Sequence, residues 1–438
     1  MEKNSFFLNG DICWSASPES LNTAENGFLL CRDGKSGGVF KEIPMEHAQL
    51  PVKDYTGRLI IPGFTDLHIH APQFSFRAMG MDMELLEWLN KNTFPEEAKY
   101  GDLEYARSAY SRFIEDIKKG ATTRLCIYAT IHVPATLLLM DMLEESGLVS
   151  LVGKVNMDRN CPDSLNESKG AASIKTTKEW LDAFNKRRQE GRYKNTFPIL
   201  TPRFIPVCSD DLMKGLAEIQ NERKLPLQSH LSENRKEIEW VKELCPKSEN
   251  YAGAYADSGL LEGPAIMAHC VLSGEREMDL LAEKGVYIAH CPQSNTNLSS
   301  GIAPVRRFLE KQIPAGLGSD VAGGAHTSIF RMMSDAIQVS KLRQTLAAPN
   351  DKALTLEEAF YLGTAGGGSF FGKIENTDFG SAGSFEEGWD FDAVIINDDP
   401  LASAVKRNIR DRLERIVYLS DDRHIAAKYA RGVLVKGS

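Results

Sequence analysis

Two histidines stand two residues apart at the end of an apolar run, in the segment LIIPGFTDLHIHA that spans residues 59–71. On a β-strand, side chains at positions i and i+2 point to the same face, so His68 and His70 can reach one ion from the same side of the backbone. Neutral histidine is a common metal ligand, although a histidine pair by itself also fits a satisfied core. The spacing therefore indicates a metal site that other parts of the chain must complete.

Further histidines and two acids stand at the C-terminal ends of later apolar runs. LPLQSHLSE ends in His230 and Glu233, AIMAHC contains His269, VYIAHCPQSN contains His290, and PAGLGSD ends in Asp320. In a parallel barrel the loops after the strands form the active-site face. Any one of these residues fits an ordinary loop residue, but the repetition of the pattern favours one shared site.

The middle of the chain alternates between strand-like and helix-like segments, which predicts a (β/α)8 TIM barrel. Helix-like stretches such as GDLEYARSAYSRFIEDIKKG and SDDLMKGLAEIQNERK separate the apolar runs. No GxGxxG or GxxxxGK[ST] motif follows the first strand, as an open doubly wound sheet would favour. The eight predicted strands lie at about residues 60–70, 121–130, 149–158, 196–204, 225–231, 264–270, 285–291 and 313–320.

The two ends of the chain contain short apolar runs without helix-like segments between them. SFFLNGDICW, GFLLCRD and RLIIPG near the N-terminus are separated by Gly, Asn and Asp, which favours hairpins. WDFDAVIIND, RIVYLS and AAKYARGVLVKG near the C-terminus are also predicted as strands. We therefore expect residues 1–63 and 376–438 to form a small β-sandwich, and residues 64–375 to form the barrel.

Composition restricts the partners and the compartment. The 438 residues carry a net charge of -9 and are 42% hydrophobic, so the chain is globular and lacks the basic footprint of a nucleic-acid-binding protein. No stretch of 18 uncharged apolar residues and no signal peptide is found, which predicts a cytoplasmic protein that does not bind membranes. The eight scattered cysteines are expected to be reduced thiols rather than disulfides or zinc ligands.

The arrangement of the candidate residues resembles that of the amidohydrolase superfamily over essentially the whole chain. The shared pattern is an HxH after strand one, histidines at strands five and six, and an aspartate at strand eight. The motifs APQFSF, LLEWLNKNTFPEE, TPRF, SHLSEN, AHCPQSNTNLSSG and GLGSDVAGG are similar to those of the guanine-deaminating branch of that superfamily. This resemblance implies a metal-dependent hydrolase that converts guanine to xanthine and ammonia, in a homodimer.

The resemblance also implies the roles of individual residues. The metal ligands that it implies are His68, His70, His230 and Asp320. The residues that it implies for catalysis are Glu233 as proton shuttle, Asp320, and His269 near the reactive water. The residues that it implies for substrate binding are Gln73, Arg203, Phe204, His230, Glu233 and Asp320.

Three imidazoles and one carboxylate suit one Zn²⁺ per chain, or Fe²⁺, and leave a position open for water. The metal would supply hydroxide near neutral pH, while Glu233 protonates ring N3 and Asp320 passes a proton to the departing amine. We expect Arg203 to contact the O6 carbonyl and Gln73 to read the remaining ring edge. Two alternatives are that Glu233 is a first-turn helix acid and that Arg203 forms a structural salt bridge.

Other functions share parts of this pattern. A deaminase of another heterocycle, of the cytosine or adenine-nucleoside type, would need a different edge reader. A dinuclear amide hydrolase would need a bridging lysine or acid where TPRF stands, and a non-catalytic scaffold would be expected to lack ligands. Four residues have no assigned role: Phe76 and Trp88 fit either substrate stacking or plain core, His290 fits a residue that orients a ligand, and His326 fits a loop before the last barrel helix.

Overall fold

The computed structural model describes residues 5–402 and 404–437, and it joins both ends of the chain in one mixed sheet of seven strands. The strands Phe6–Trp14 and Val52–Pro62 run parallel, and the other neighbouring strands are antiparallel. In spatial order the strands are Val433–Gly437 (β17), Ile425–Ala430 (β16), Ala393–Ile396 (β15), Val52–Pro62 (β4), Phe6–Trp14 (β1), Asn22–Arg32 (β2) and Lys35–Phe40 (β3).

Alternating apolar residues give this terminal sheet two buried faces. Phe6 and Leu8 of β1 belong to a small core that also contains Phe391 and Tyr429. On β4, Leu59 and Ile61 instead contribute to the large core of the molecule. This period of two is the alternation expected of a strand with two different faces.

The prediction of a strand for RIVYLS is wrong, because most of this segment lies in the helix Ile409–Leu419. The side chain of Asn408 accepts a hydrogen bond from the Asp411 backbone N–H at the start of that helix. Leu413, Ile416 and Val417 are buried at spacings of three and four, which match a helical face. The helical period of the longer segment outweighs the local β-branched residues.

The middle of the chain contains two four-stranded parallel sheets and a two-stranded one, at the positions predicted for the strands. The observed strands are shorter than predicted. The first predicted strand, 60–70, is divided at Gly63 between the end of β4 and the strand Phe64–His70. The first sheet contains Phe64–His70 (β5), Thr122–Tyr128 (β6), Val149–Gly153 (β7) and Thr196–Pro198 (β9), and Val155–Asn156 (β8) pairs with Thr201–Pro202 (β10). The second contains Leu227–Leu231 (β11), Ala265–His269 (β12), Tyr287–His290 (β13) and Ala315–Leu317 (β14).

Backbone hydrogen bonds connect the two parallel sheets. The Asp320 N–H, just beyond the end of β14, donates at 2.8 Å to the carbonyl of His68, near the end of β5. On the other side, the Gln228 N–H of β11 donates to the Leu200 carbonyl at 2.9 Å. These bonds bring the residues at the carboxyl ends of β5, β11 and β14 to the same region.

Helices follow most of the parallel strands. The helices of ten or more residues are Leu103–Lys119, Val133–Ser146, Gly170–Gln189, Asp210–Arg223, Arg235–Leu244, Ile329–Leu346 and Ile409–Leu419. The shorter ones are Leu85–Trp88, Phe94–Glu97, Tyr251–Asp257, Glu275–Glu283, Pro292–Asn297, Val305–Glu310 and Leu356–Tyr361. Within the described residues, none of the helices combines the length and the apolar character needed to cross a membrane.

A buried ion cluster links β6 to the terminal sheet. The Arg124 guanidinium donates to Asp392 at 2.7 Å through Nε and to Asp390 at 2.8 Å through Nη2. All three side chains are fully buried, and Lys35 also pairs with Asp390. Removing one partner would leave an uncompensated charge inside the protein, which is costly.

We expect Arg124→Ala to destabilise the fold by about 3–5 kcal/mol, because Asp390 and Asp392 lose the cation that compensates their burial. The measurement is the shift of the unfolding midpoint in urea. The control is Arg276→Ala, which removes an exposed pair with Glu249 and should change stability by about 0.5 kcal/mol or less. Equal midpoints for both variants would contradict a stabilising role for the cluster.

Candidate metal centre and active site

Four side chains converge at the carboxyl ends of the parallel strands: His68 and His70 from β5, His230 from β11, and Asp320 beyond β14. His70 Nε2 lies 3.2 Å from His68 Nε2 and 3.3 Å from His230 Nε2. Asp320 Oδ1 lies 3.1 Å from His68 Nε2 and 3.3 Å from His70 Nε2. The sequence-predicted ligand set is therefore brought together with its donor atoms pointing at one another.

The protonation of these histidines suits a cation. His230 Nδ1 lies 2.6 Å from the carbonyl oxygen of Arg203, which only accepts, so Nδ1 carries the proton and Nε2 presents a lone pair. Burial lowers the pKa of His68 to about 3 and that of His230 well below its usual value, which keeps both rings neutral. A cation among these donor atoms would be bound by all of them. Three imidazoles and one carboxylate fit a borderline-soft divalent metal.

Asp66 fixes the loop that carries Asp320, and the sequence-based predictions missed it. Its carboxylate accepts hydrogen bonds from the Ser319 N–H at 3.0 Å, the Ser319 hydroxyl at 2.5 Å and the His68 N–H at 3.2 Å. Burial raises the pKa of Asp66 to about 7 against the effect of these bonds. Asp66 thus connects the end of β5 to the end of β14, and its only sequence signal was a polar residue within an apolar run.

Glu233 faces the metal centre from the loop after β11. Its Oε2 atom lies 3.5 Å from His269 Nε2, and its Oε1 atom accepts a hydrogen bond from the Ser300 hydroxyl at 3.2 Å. Burial, followed by the charge of Asp320, raises the pKa of Glu233 to about 8. The next helix begins at Arg235 after the capping residue Asn234, so Glu233 lies outside it. The helix acid of that first turn is Glu237.

His269 lies between the two carboxylates. Its Nδ1 atom is 2.9 Å from Asn295 Oδ1, which accepts, so the Nδ1 position carries a proton and Nε2 faces the site. His269 Nε2 is 3.8 Å from Asp320 Oδ2. Asn295, in the short helix Pro292–Asn297, is a second residue that the sequence did not reveal, because a single asparagine carries no spacing signal.

A cavity opens onto this cluster. Apolar and aromatic side chains form part of its lining, and the polar groups are concentrated near the histidines, as in ligand pockets. The lining residues that had been predicted from the sequence are His70, Gln73, Trp88, Arg203, Phe204, His230, Glu233, His269 and Asp320. The lining residues that had not been predicted are Leu85, Leu89, Glu237 and Leu298.

Arg203 lines the cavity and also forms a buried ion pair. Its Nη1 atom lies 2.5 Å from Glu97 Oε2, so the salt bridge considered as an alternative is present. Gln73 Nε2 donates to the other oxygen of Glu97 at 2.9 Å. Glu97 stands in the quoted motif LLEWLNKNTFPEE, but nothing in the sequence indicated which acid would meet the arginine.

The four residues without an assigned role lie in different surroundings. His290 is buried, but neither ring nitrogen has a hydrogen-bond partner in the described part of the chain, so it orients no ligand in this way. His326 is exposed in the loop before Ile329–Leu346. Phe76 packs against Trp88 with ring centroids 5.5 Å apart, and of these two rings Trp88 lines the cavity.

The chain matches the amidohydrolase family over residues 59–435. It is 41% identical over 392 residues to guanine deaminase of Dictyostelium discoideum, which covers 89% of this chain and 85% of that protein. It is 39% identical over 383 residues to guanine deaminase of Homo sapiens, covering 85% of this chain and 82% of that protein.

Solved structures give a similar result. A guanine deaminase from C. acetobutylicum with guanine bound in its active site has a TM-score of 0.92 and 41% identity, covering 98% of this chain and all of that one. A guanine deaminase from E. coli has a TM-score of 0.85 and 31% identity, covering the full length of both chains. The whole chain therefore has close structural counterparts.

We expect His68→Ala or Asp320→Ala to lower the bound metal below one ion per chain, because each change removes one of four converging donors. Elemental analysis of the purified variants measures the metal content. His290→Ala is the control, since it alters a buried histidine whose ring nitrogens make no hydrogen bond to the cluster, and it should retain the metal. Full metal occupancy in the His68 variant would contradict this ligand set.

Proposed function

The chain belongs to the amidohydrolase family, and on that premise we propose that it is a guanine deaminase, which converts guanine and water to xanthine and ammonia. The observation that carries this function is a single cavity lined by the metal cluster, by Glu233 with its raised pKa, and by the buried Arg203. The metal cluster and Glu233 suit hydrolysis at a ring carbon, and Arg203 suits recognition of a carbonyl.

We propose that His68, His70, His230 and Asp320 hold one Zn²⁺ per chain, with Fe²⁺ as the alternative that the same donors suit. A metal in this position supplies a hydroxide nucleophile near neutral pH. The hydrogen bond between His230 Nδ1 and the Arg203 carbonyl supports this assignment, because it fixes the tautomer that leaves Nε2 free.

Two carboxylates with different proton affinity would carry the proton transfers. Glu233 remains protonated near neutral pH and donates its proton to ring N3 as the water oxygen attacks C2. Burial disfavours the charge of Asp320, but its interactions with His68 and His70 lower its pKa below the usual range, so it accepts a proton from the attacking water. Asp320 then passes this proton to the amino group, which leaves C2 as ammonia, while the remaining hydroxyl proton at C2 returns to Glu233 as the C2 carbonyl forms.

His269 orients the attacking water in this proposal. Its Nδ1–H is held by Asn295, so Nε2 is directed at a water that would lie between it and the two carboxylates. The remaining contacts hold the purine. Arg203 donates to O6, Gln73 binds another part of the ring edge, and Phe204 with Trp88 supplies flat apolar surface.

We propose the rest of the architecture on the same basis. The two parallel sheets close into a (β/α)8 TIM barrel over residues 64–375, supported by the backbone bonds at both seams. Residues 1–63 and 376–438 form the terminal β domain, for which the sequence predicts a sandwich. The protein acts as a cytoplasmic homodimer without a membrane partner. The acidic net charge of -9 supports the absence of a nucleic-acid partner.

Glu233→Gln should keep the metal and bind guanine but lower kcat by at least about 10²-fold, because an amide holds a hydrogen bond yet cannot shuttle a proton. The assay is ammonia release from guanine, with metal content measured in parallel. Glu239→Gln replaces an exposed acid in the following helix and should leave kcat unchanged. Turnover near the wild-type rate in the Glu233 variant would contradict the shuttle.

Arg203→Met should raise KM for guanine and reduce discrimination against 2-aminopurine, which lacks the O6 acceptor. Sites that depend on such a hydrogen bond can reject the wrong ligand by about 10⁴-fold, because a buried donor is left unpaired. The measurement is kcat/KM for both bases with variants of verified metal content. The control is Arg223→Met, which removes an ion pair with Asp182. Neither residue lines the cavity, so this variant should leave the ratio unchanged. An unchanged ratio in the Arg203 variant would mean that Arg203 serves only its ion pair.

A further inference from the structure

Glu97 lies behind the wall of the cavity that carries Arg203 and Gln73, and it is absent from the lining itself. It ends the short helix Phe94–Glu97 and is 2% exposed. One carboxylate oxygen accepts from Arg203 Nη1 at 2.5 Å and the other accepts from Gln73 Nε2 at 2.9 Å. A single buried acid thus connects both side chains that face the ligand from this wall.

The two groups that flank Gln73 fix the orientation of its amide. Glu97, paired with the guanidinium of Arg203, accepts hydrogen bonds, so it requires the nitrogen side of the amide. The backbone N–H of Ala322 donates to Gln73 Oε1 at 3.2 Å, so it requires the oxygen side. Rotating the amide by half a turn would place two donors together and two acceptors together. Gln73 is therefore held in one orientation from both ends.

This orientation determines what the wall offers to a ligand. Arg203 has only N–H donors, and the amide nitrogen of Gln73 keeps one N–H after donating to Glu97. The wall is therefore rich in donors, and a ligand edge that meets it must supply acceptors. The O6 and N7 atoms of guanine are both acceptors, whereas adenine carries an amino donor at C6.

We propose that Glu97 is a positioning residue that selects purines with a carbonyl at C6 over purines with an amino group there, by holding Arg203 and Gln73 with their donors towards the ligand. This inference rests on the proposed function, because it assigns the purine edge that the wall receives. A purely structural role of the ion pair would instead weaken the binding of both kinds of purine equally.

The neighbouring residue Glu96 provides a matched control. It is also buried and lies in the same short helix, but its carboxylate bonds to Lys99 at 2.6 Å and to the Tyr105 hydroxyl. It is absent from the cavity lining. Glu96→Gln therefore changes an adjacent buried acid by the same chemical step without touching Arg203 or Gln73.

The test compares the binding of hypoxanthine and adenine to the metal-loaded wild type, Glu97→Gln and Glu96→Gln by calorimetry. Both bases lack the amino group at C2, so the proposed reaction consumes neither. In Glu97→Gln the preference for hypoxanthine over adenine should narrow by at least about tenfold, since an amide at position 97 lacks the charge and one of the two acceptor oxygens that hold Arg203 and the Gln73 amide nitrogen in place. In addition, KM for guanine should rise more than kcat falls, and Glu96→Gln should match the wild type in both respects.

Glu97→Asp covers the case in which Glu97→Gln does not fold, because it keeps the charge that Arg203 needs while withdrawing the carboxylate from both partners. Its preference for hypoxanthine should narrow in the same direction, by less than in Glu97→Gln. An unchanged preference in the folded Glu97 variants, with guanine still deaminated by the wild type, would overturn the role of Glu97 alone. A wild-type protein that releases no ammonia from guanine would overturn the proposed function as well.

Discussion

The crowding of three buried imidazoles and one buried carboxylate is the constraint on which the rest of the site depends. Three histidine Nε2 atoms and one carboxylate lie within a few ångströms of one another, at separations of 3.1 to 3.3 Å. Burial lowers the pKa of His68 and His230, which favours the neutral form that binds a metal. A divalent cation would be held by all four side chains, and the strand ends fix their positions. Rigid β-strands are suited to this, because they fix side-chain direction better than loops do.

The same backbone that positions the metal ligands also positions the residues that face the purine. The carbonyl of Arg203 accepts from His230 while its side chain lines the cavity. Gln73 follows His70 by three residues, and its oxygen binds the Ala322 N–H, two residues beyond Asp320. Recognition and metal binding therefore share their supports. Each of these two links between the recognition wall and the metal ligands is a single hydrogen bond, so metal content belongs in every assay of a recognition variant.

The sequence predicted those parts of the site that have a local pattern. His68, His70, His230 and Asp320 stand at the ends of apolar runs, and the period of two in a strand shows which side chains share a face. Glu97 had no such pattern, because it meets Arg203 across 106 positions of sequence and only the fold decides which acid is near. Asn295 was missed for the same reason. The error at RIVYLS is of another kind, since the six-residue segment was too short to show the helical period around it.

Two buried carboxylates in one cavity differ in proton affinity because their neighbours differ. Burial raises the pKa of both, but Asp320 also meets His68 and His70, which lower its pKa below the usual range, whereas the raised pKa of Glu233 is opposed only by the Ser300 hydroxyl. Near neutral pH one therefore holds a proton and the other does not, which is the separation that an acid and a base in one reaction require. His269 Nε2 lies 3.5 Å from Glu233 and 3.8 Å from Asp320. In the proposed reaction, a water placed there would face the donor and the acceptor at once, so both proton transfers would take place within the cavity.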